Sequence, residues 1–241
     1  MHDVIVSVLE NNSFVNPDVG NINDALDVDY WIISIPKCST TAIQRGLEGI
    51  GHPVLHLHTN YSLYGAYPNG HVLEEAGIGV EDLVKARLAF SPKKLHCFFG
   101  FRDTLSWWVS LAGQFSLDYA KLQERPDDIS RHEFPWDKYS IDDMAAIIRE
   151  GFGINITDHA FDTEAGISVL EHDRFNLVLY RFDRMDAVET YIKTHIDDRF
   201  VMRQERVNVD EKYLEFKSSF RPSDEAVAAL NDDDWRSYFY G

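Results

Sequence analysis

Short apolar runs recur along the chain and are separated by stretches with helical periodicity. Four runs have the length and composition of buried β-strands. They lie at residues 30–35, 54–58, Leu95–Phe101 and Phe175–Arg181. Helices are predicted for residues 40–47, 104–123, 142–150 and 185–194, and a further helix begins at Pro222 and ends before Asn231. This alternation indicates an α/β fold, in which a mostly parallel sheet is flanked by helices.

Length and composition fit one folded domain. The chain has 241 residues, of which 44% are hydrophobic and 13% aromatic, and that is enough to build the core of a single α/β domain. No repeat, low-complexity tract or linker divides residues 1–241. Residues 1–29 are mostly polar towards their end and are predicted to form an irregular lead-in.

Charge excludes some classes of partner. Acidic residues outnumber basic residues by 40 to 23, which gives a net charge of −17. Surfaces for nucleic acid or anionic membranes need broad positive fields, so we expect neither partner, and any anionic ligand must occupy a local pocket. No basic leader or run of about 18 apolar residues occurs, so no membrane anchor is expected. Cys38 and Cys97 form no disulfide framework or zinc cluster, which favours a reducing cytoplasm.

The segment Pro36-Lys37-Cys38-Ser39-Thr40-Thr41 follows the first predicted strand and leads into a helix. Parallel sheets bind ligands beyond the carboxyl ends of their strands. The start of a helix there offers backbone N–H groups and the positive end of its dipole, and hydroxyls and a lysine add to this, so the segment suits a phosphate. It lacks the glycines and the Gly-Lys-Ser/Thr ending of the Walker loop, which counts against a P-loop kinase. The alternative is that Ser39 or Thr40 only caps the helix.

A second motif lies at the end of the third predicted strand, where Arg102 follows Leu95–Phe101 and Ser110 comes eight residues later. The two motifs together resemble those of sulfotransferases that use 3′-phosphoadenosine 5′-phosphosulfate (PAPS), whose loop reads Pro-Lys-Ser/Cys-Gly-Thr-Thr. A weaker likeness lies at residues 177–183. Ser39 and Ala42 depart from the family, since they stand where a glycine and, in many cytosolic members, a tryptophan against the adenine occur.

The resemblance, which spans residues 30–183, implies a P-loop-like sulfotransferase architecture that binds PAPS or its product PAP, 3′-phosphoadenosine 5′-phosphate. Residues 36–41 would bind the 5′-phosphosulfate, and Arg102 and Ser110 the 3′-phosphate, a task suited to a guanidinium fork and a hydroxyl. For Arg102 alone, a surface ion pair is the alternative. Arg206, in the segment 203–208, is similar to a basic region near the nucleotide, or lies in a solvated loop.

The chemistry of sulfuryl transfer gives two residues on this chain a catalytic role. Lys37 is suited to stabilising the bridging oxygen as the sulfur–oxygen bond breaks, and no metal is required. A general base must accept the proton of the acceptor hydroxyl. His56 and His58 share one face of the second strand, and His58 is favoured because it lies nearer the ligand edge. Both histidines have a structural alternative.

Other residues remain as alternatives for the base and for the acceptor site. Glu74 and Glu75 stay open as bases, whereas His96 begins its strand and is a poorer candidate. Aromatic residues of the helix at 104–123 line an acceptor site or, as is more usual, the core; they are Trp107, Trp108, Phe115 and Tyr119.

The predicted function is transfer of the sulfuryl group of PAPS to an acceptor hydroxyl. A carbohydrate is the preferred acceptor, because the loop lacks the tryptophan of the cytosolic small-molecule family. Two other functions stay open. One is a P-loop-type kinase, and the other is a non-catalytic nucleotide-binding module that binds the desulfated nucleotide without transferring a group.

Overall fold

Strands and helices alternate in the computed structural model, which describes residues 2–16, 20–24, 26–114, 118–124, 126, 140–202, 210–231 and 234–241. The strands are β1 (Val15–Asn16), β2 (Gly20–Asn21), β3 (Tyr30–Ile33), β4 (Val54–Leu57), β5 (Leu95–Phe101), β6 (Ile167–Glu171) and β7 (Phe175–Arg181). The helices are α1 (His2–Asn11), α2 (Thr40–Glu48), α3 (Asn60–Ala66), α4 (Gly70–Glu75), α5 (Val80–Phe90), α6 (Thr104–Gln114), α7 (Tyr119–Glu124), α8 (Ile141–Phe152), α9 (Met185–His195), α10 (Glu211–Ser219), α11 (Asp224–Asn231) and α12 (Asp234–Tyr240).

A five-stranded sheet with the order β4-β3-β5-β7-β6 forms the centre of the fold. β3, β4, β5 and β7 run parallel, and β6 pairs with β7 antiparallel at one edge. β1 and β2 form a separate two-stranded ribbon. The predicted α/β class with a mostly parallel sheet is therefore confirmed.

Helices cover both faces of this sheet. Alternate residues of a strand point to opposite faces, and the two sets of strand side chains enter two apolar clusters. Trp31, Cys97 and Leu177 pack with side chains of α1, α5, α6 and α8. Ile32, Phe98 and Val178 pack with side chains of α2 and α9 on the other face. Both faces are therefore buried, which explains why these strands read as continuous apolar runs.

The four predicted strands are confirmed, and so are helices close to those predicted to begin at residues 40, 142, 185 and 222; the last of these begins at Asp224 and includes Asn231. The single helix predicted for 104–123 is wrong, because α6 ends at Gln114 and α7 begins at Tyr119. The irregular lead-in is also wrong in part, since α1 occupies His2–Asn11 and buries Ile5 and Leu9, four residues apart. β6 was missed because its side chains are mostly half-buried at the edge of the sheet.

The topology marks one place on the sheet for a ligand. β3 lies between β4 and β5, and the chain passes from β3 to β4 before it crosses to β5. The connections after β3 and β5 therefore leave in opposite directions, so the carboxyl ends of these two strands form a topological switch point. In open α/β sheets, ligands bind in the crevice at such a point. Separately, no helix in the described ranges is long and apolar enough to cross a membrane.

Candidate functional site

The loop after β3 lies in this crevice, and side chains from neighbouring elements bond to its backbone. Trp107 Nε1, from α6, donates to the carbonyl of Pro36 at 2.7 Å. Arg102 Nη1, directly after β5, donates to the carbonyl of Lys37 at 2.9 Å. Tyr180 Oη, from β7, donates to the carbonyl of Cys38 at 2.9 Å. We call these three donors, Trp107, Arg102 and Tyr180, the carbonyl clamp.

The carbonyl clamp determines where the N–H groups of the loop point. In a trans peptide the C=O of one residue and the N–H of the next point in opposite directions, and the described chain contains no cis peptide. Because the carbonyls of residues 36–38 point at the clamp, the N–H groups of Lys37, Cys38 and Ser39 point away from it. Successive backbone N–H groups that are held in this way are a feature of anion-binding concavities in proteins.

Two residues of the loop have left-handed backbone conformations, which residues other than glycine seldom adopt. Lys37 has φ 68° and Ser39 has φ 57°. Ser39 stands where the sulfotransferase loop carries glycine, and its conformation is one that glycine adopts without steric cost. The serine therefore occupies a backbone position that favours glycine, at a cost on the order of 1 kcal/mol.

Helix α2 starts directly after this loop, at Thr40. The first intrahelical bonds are donated by Ala42 and Ile43, both to the carbonyl of Ser39. The N–H groups of Thr40 and Thr41 precede those bonds, and the first N–H groups of a helix have no partner within it. The positive end of the helix dipole lies at the same place. Thr40 is buried, and Thr41 is half-buried.

The side chain of Ser34, just before the loop, bonds to the backbone of β5. Its hydroxyl accepts from the N–H of Gly100 at 3.1 Å and lies 3.0 Å from the carbonyl oxygen of Gly100, to which it donates. The side chain thus takes the place of the next backbone hydrogen bond between β3 and β5. Because Gly100 keeps bonding partners, β3 and β5 can diverge there without leaving buried polar groups unsatisfied.

His58 follows β4 and faces the same loop. Its Nδ1 is hydrogen-bonded to the carbonyl of Ser34. A carbonyl oxygen can only accept, so Nδ1 carries the proton and, in the neutral ring, Nε2 has the lone pair. Burial lowers the pKa of His58, and the bond to Ser34 opposes this in part. The neutral tautomer with a basic Nε2 is therefore the form present near neutral pH.

His56 lies one step further back on β4 and has a different environment. It is buried, with Nδ1 3.0 Å from Oε1 of Gln44 on α2. The rings of His56 and His58 meet edge to face, with centroids 4.8 Å apart. His58 is only half-buried and lies nearer the carboxyl end of the strand. Of the two predicted bases, His58 is the better placed to reach a ligand in the crevice.

Arg102 is held on three sides. Besides Lys37, its guanidinium contacts Ser106, whose Oγ accepts from Nε at 3.1 Å, and the ring of Phe182, whose centroid lies 3.9 Å from Cζ. These two hydrogen bonds account for two of the five N–H donors of an arginine. Burial lowers the pKa of Arg102, but an arginine keeps its charge. A buried cation therefore lies beside the loop and is fixed in orientation.

Ser110, predicted to act with Arg102, lies one turn beyond Ser106 on α6 and is buried. Ser106 is the hydroxyl that contacts Arg102, and sequence reasoning missed it. A feature of the sequence that could have indicated Ser106 is its position four residues after Arg102. Cys38 is buried, and burial raises the pKa of its thiol to about 12, so it is no nucleophile at neutral pH.

The remaining predicted residues lie in other places. His96 is at the amino end of β5, away from the loop, and Glu74 and Glu75 are exposed at the end of α4. Trp107 and Trp108 belong to the core, as aromatic residues around a helix usually do. Tyr119 packs on Phe216, with ring centroids 4.9 Å apart. Phe115 and Arg206 lie outside the described residues.

Two donors of the carbonyl clamp, Trp107 and Tyr180, were missed as site residues, whereas Arg102 was predicted. Trp107 was interpreted only as core or acceptor-site lining, and Tyr180 only as part of a strand. Each is in fact a buried aromatic residue whose polar atom reaches the loop. Buried Tyr and Trp side chains usually bond their polar atom, so such residues near a strand end are the available signal.

In the parts of the chain that the structure describes, no cluster of three or more His, Cys, Asp or Glu side chains is arranged to hold a metal ion. Comparison with known proteins finds no matching family model, no matching curated protein and no matching solved structure. The function is therefore argued from the geometry of this site.

Proposed function

We propose that this protein is a PAPS-dependent sulfotransferase with the P-loop-like architecture of that superfamily. One observation carries the proposal: a single edge of the sheet brings together the loop of Lys37, the buried cation of Arg102 and the neutral imidazole of His58. Arg102 and His58 are each hydrogen-bonded to the backbone of residues 34–37. An anion site, a second cation and a base thus share one crevice.

The donor nucleotide carries anionic groups at two positions. The N–H groups of residues 37–41 suit the 5′-phosphosulfate, since they belong to the loop and to the first residues of α2, and Lys37 adds a positive charge to this segment. Arg102 suits the 3′-phosphate, because a guanidinium fork binds phosphate oxygens in pairs. Ser106 and Ser110 lie on successive turns of α6 and add hydroxyls on that side. The strongly negative protein needs such a local positive site to hold an anionic nucleotide.

The transfer step places one group on each side of the sulfur. The acceptor oxygen forms a bond to sulfur while the bridging bond from sulfur to the 5′-phosphate oxygen breaks, and its electron pair remains on that phosphate oxygen. Lys37 stabilises the charge that develops there. The proton of the acceptor hydroxyl moves to Nε2 of His58. PAP, the sulfated acceptor and protonated His58 are the result.

The acceptor is proposed to be a hydroxyl-bearing molecule, with a carbohydrate preferred. Ala42 stands in place of the tryptophan common in the cytosolic small-molecule enzymes, and it is buried on α2. The argument for a carbohydrate is thus the sequence of the loop. A screen of mono- and oligosaccharides with labelled PAPS tests it directly.

Nucleotide binding tests the proposal most directly. Calorimetric titration is expected to show that PAP binds more tightly than ATP, because ATP has no 3′-phosphate to occupy Arg102. Arg102→Ala should weaken PAP binding about ten- to hundredfold, the scale of one charge-assisted hydrogen bond of about 1.5–3 kcal/mol. Arg199→Ala is the control, since it makes the same change of charge at an exposed residue paired with Asp197.

Two outcomes would support other functions instead. Equal affinity for PAP and ATP, together with magnesium-dependent phosphate transfer, would indicate a P-loop-type kinase. Tight PAP binding without transfer to any acceptor would indicate a nucleotide-binding module. Where transfer is found, Lys37→Ala tests the leaving-group role, because that role requires a slower single-turnover transfer in addition to any change in affinity.

A further inference from the structure

We infer that Tyr180 is a positioning residue of the anion-binding loop, and that its hydroxyl orients the peptide between Cys38 and Ser39 for the ligand. The inference rests on the proposed function only for the identity of that ligand. Tyr180 is fully buried on β7, and its Oη donates to the carbonyl of Cys38 at 2.9 Å. The same peptide presents the N–H of Ser39 on its opposite side.

The fold makes room for this contact across a whole strand. β5 lies between β3 and β7, so the ring of Tyr180 must pass Gly100 of β5 to reach the loop that follows β3. A Cβ atom at Gly100 would lie 2.4 Å from Cζ and 2.5 Å from Oη of Tyr180. Glycine at position 100 is therefore needed for the ring to take this path.

At the loop, the hydroxyl of Tyr180 donates to the carbonyl of Cys38, and it also interacts with the side chain of Ser34. Burial raises the pKa of Tyr180 well above its ordinary value, so the group stays protonated at working pH. The two other members of the carbonyl clamp fix the preceding carbonyls, those of Pro36 and Lys37. Tyr180 thus holds the last of the three peptides, next to Ser39, whose left-handed conformation residues other than glycine seldom adopt.

Tyr180→Phe removes the hydroxyl alone and keeps the ring against Gly100. Loss of one buried hydrogen bond should weaken PAP binding about fivefold. Backbone amides of residues 37–41 should also exchange hydrogen faster by a similar factor, because the loop opens more often. Both are measured on the full chain, by calorimetry with PAP and by amide hydrogen exchange of the protein alone.

Tyr191→Phe is the matched control. Tyr191 lies in the same apolar cluster as Tyr180, is also buried, and its hydroxyl accepts from Nδ2 of Asn176 at 3.4 Å, away from the loop. This variant loses an equivalent hydroxyl, so it should leave PAP affinity and loop exchange at the wild-type values. Any general loss of stability would affect both variants, whereas a positioning role affects Tyr180→Phe alone.

The two measurements separate the inference from the proposed function. If the wild type does not bind PAP, the proposed function fails, and loop exchange still decides the role of Tyr180. Equal loop exchange in Tyr180→Phe and Tyr191→Phe would overturn the inference even where PAP binds. Should Tyr180→Phe fail to fold, Trp107→Phe removes the neighbouring donor to Pro36, and unchanged loop exchange in that variant would count equally against the clamp.

Discussion

The two ends of the sheet are both rich in histidine and other polar groups, yet they are organised differently. At the amino end, the ring of Tyr30 lies between those of His52 and His96, with centroid distances of 5.0 and 5.6 Å. His52 Nε2 lies 3.1 Å from Oδ2 of Asp197. Besides these contacts between side chains, Arg87 donates to the backbone carbonyls of Val28 and Lys93, which precede β3 and β5. Together the contacts join the starts of neighbouring elements.

At the carboxyl end, side chains from four elements bond to the backbone of one loop. The carbonyls of residues 34 and 36–38 accept from His58, Trp107, Arg102 and Tyr180. Fixing these carbonyls turns the N–H groups of the same peptides in the other direction, and in the proposed function they face the anion. A count of histidines does not distinguish this proposed functional edge from the amino edge. The convergence of several donors on the carbonyls of one loop does.

The largest expected effect concerns the two histidines that represent these edges. His58→Ala should lower the single-turnover rate of sulfuryl transfer about 10²–10⁴-fold, because proton transfer to the base contributes only during reaction. PAP affinity should stay nearly unchanged. His96→Ala, the control at the amino end, should keep a transfer rate close to that of the wild type, since His96 stacks on Tyr30 far along the strand from the loop.

A nearly normal rate in His58→Ala would remove its role as the base. His56→Ala then becomes the informative variant, because its ring contacts that of His58. If His56→Ala lost transfer selectively, the role would move to that residue. A large loss in His96→Ala would instead break the distinction between the two ends.

The residues that sequence predicted at the site are those fixed by chain position. Parallel strands bring their carboxyl ends to one edge, so the ends of three apolar runs sufficed to bring Lys37, His58 and Arg102 together. Donors that reach across strands were not predictable in this way. Tyr180 meets Cys38 only because Gly100 leaves space between them, a relation among three strands that no local pattern contains.

The same distinction explains which strands and helices the sequence predicted and which it did not. Buried central strands have apolar side chains on both faces and are plain in the sequence, whereas the half-buried edge strand β6 is not. Helix α1 buries one narrow apolar side, with Ile5 and Leu9 as its main contacts. Tertiary packing stabilises such short helices more than their own propensity does, and for that reason α1 was missed.

His58 and His96 should both make the free energy of unfolding depend on pH, but only His58 should make the transfer rate depend on pH. Burial lowers the pKa of both His58 and His96 below the ordinary 6.5. For stability, the unfolded chain then binds more protons than the native one below about pH 6.5, so the free energy of unfolding falls as pH falls through that window. His58→Gln and His96→Gln should each reduce this slope in denaturant titrations between about pH 5 and 7.

The transfer rate should respond to His58 alone. It should fall about tenfold per pH unit below the lowered pKa of His58, where the base is protonated, so the midpoint of this acid limb should lie below 6.5. His96→Gln should leave this acid limb in place. A midpoint at or above 6.5 would contradict the neutral imidazole proposed as the base.

The smallest expected effect compares two positive-φ positions, one at each edge. Ser39 has φ 57°, and its side chain makes no capping hydrogen bond to α2. Gly51, in the turn before His52, has φ 95° and no atom within 4 Å of the place its Cβ would occupy.

Ser39→Gly removes a steric cost and should raise the free energy of unfolding by about 0.5–1 kcal/mol, after allowance for the greater freedom of glycine in the unfolded chain. Gly51→Ser is the reverse substitution and should lower that energy by about 1 kcal/mol. Denaturant titration measures both changes in stability. Calorimetry with PAP separates the two positions, because only position 39 belongs to residues 36–41, which are proposed to bind PAP. Lower stability in Ser39→Gly would mean that the serine side chain stabilises the loop by more than its backbone conformation costs. Ser39 would then share only its position in the sequence with the glycine of the sulfotransferase loop, and not the physical reason for that glycine.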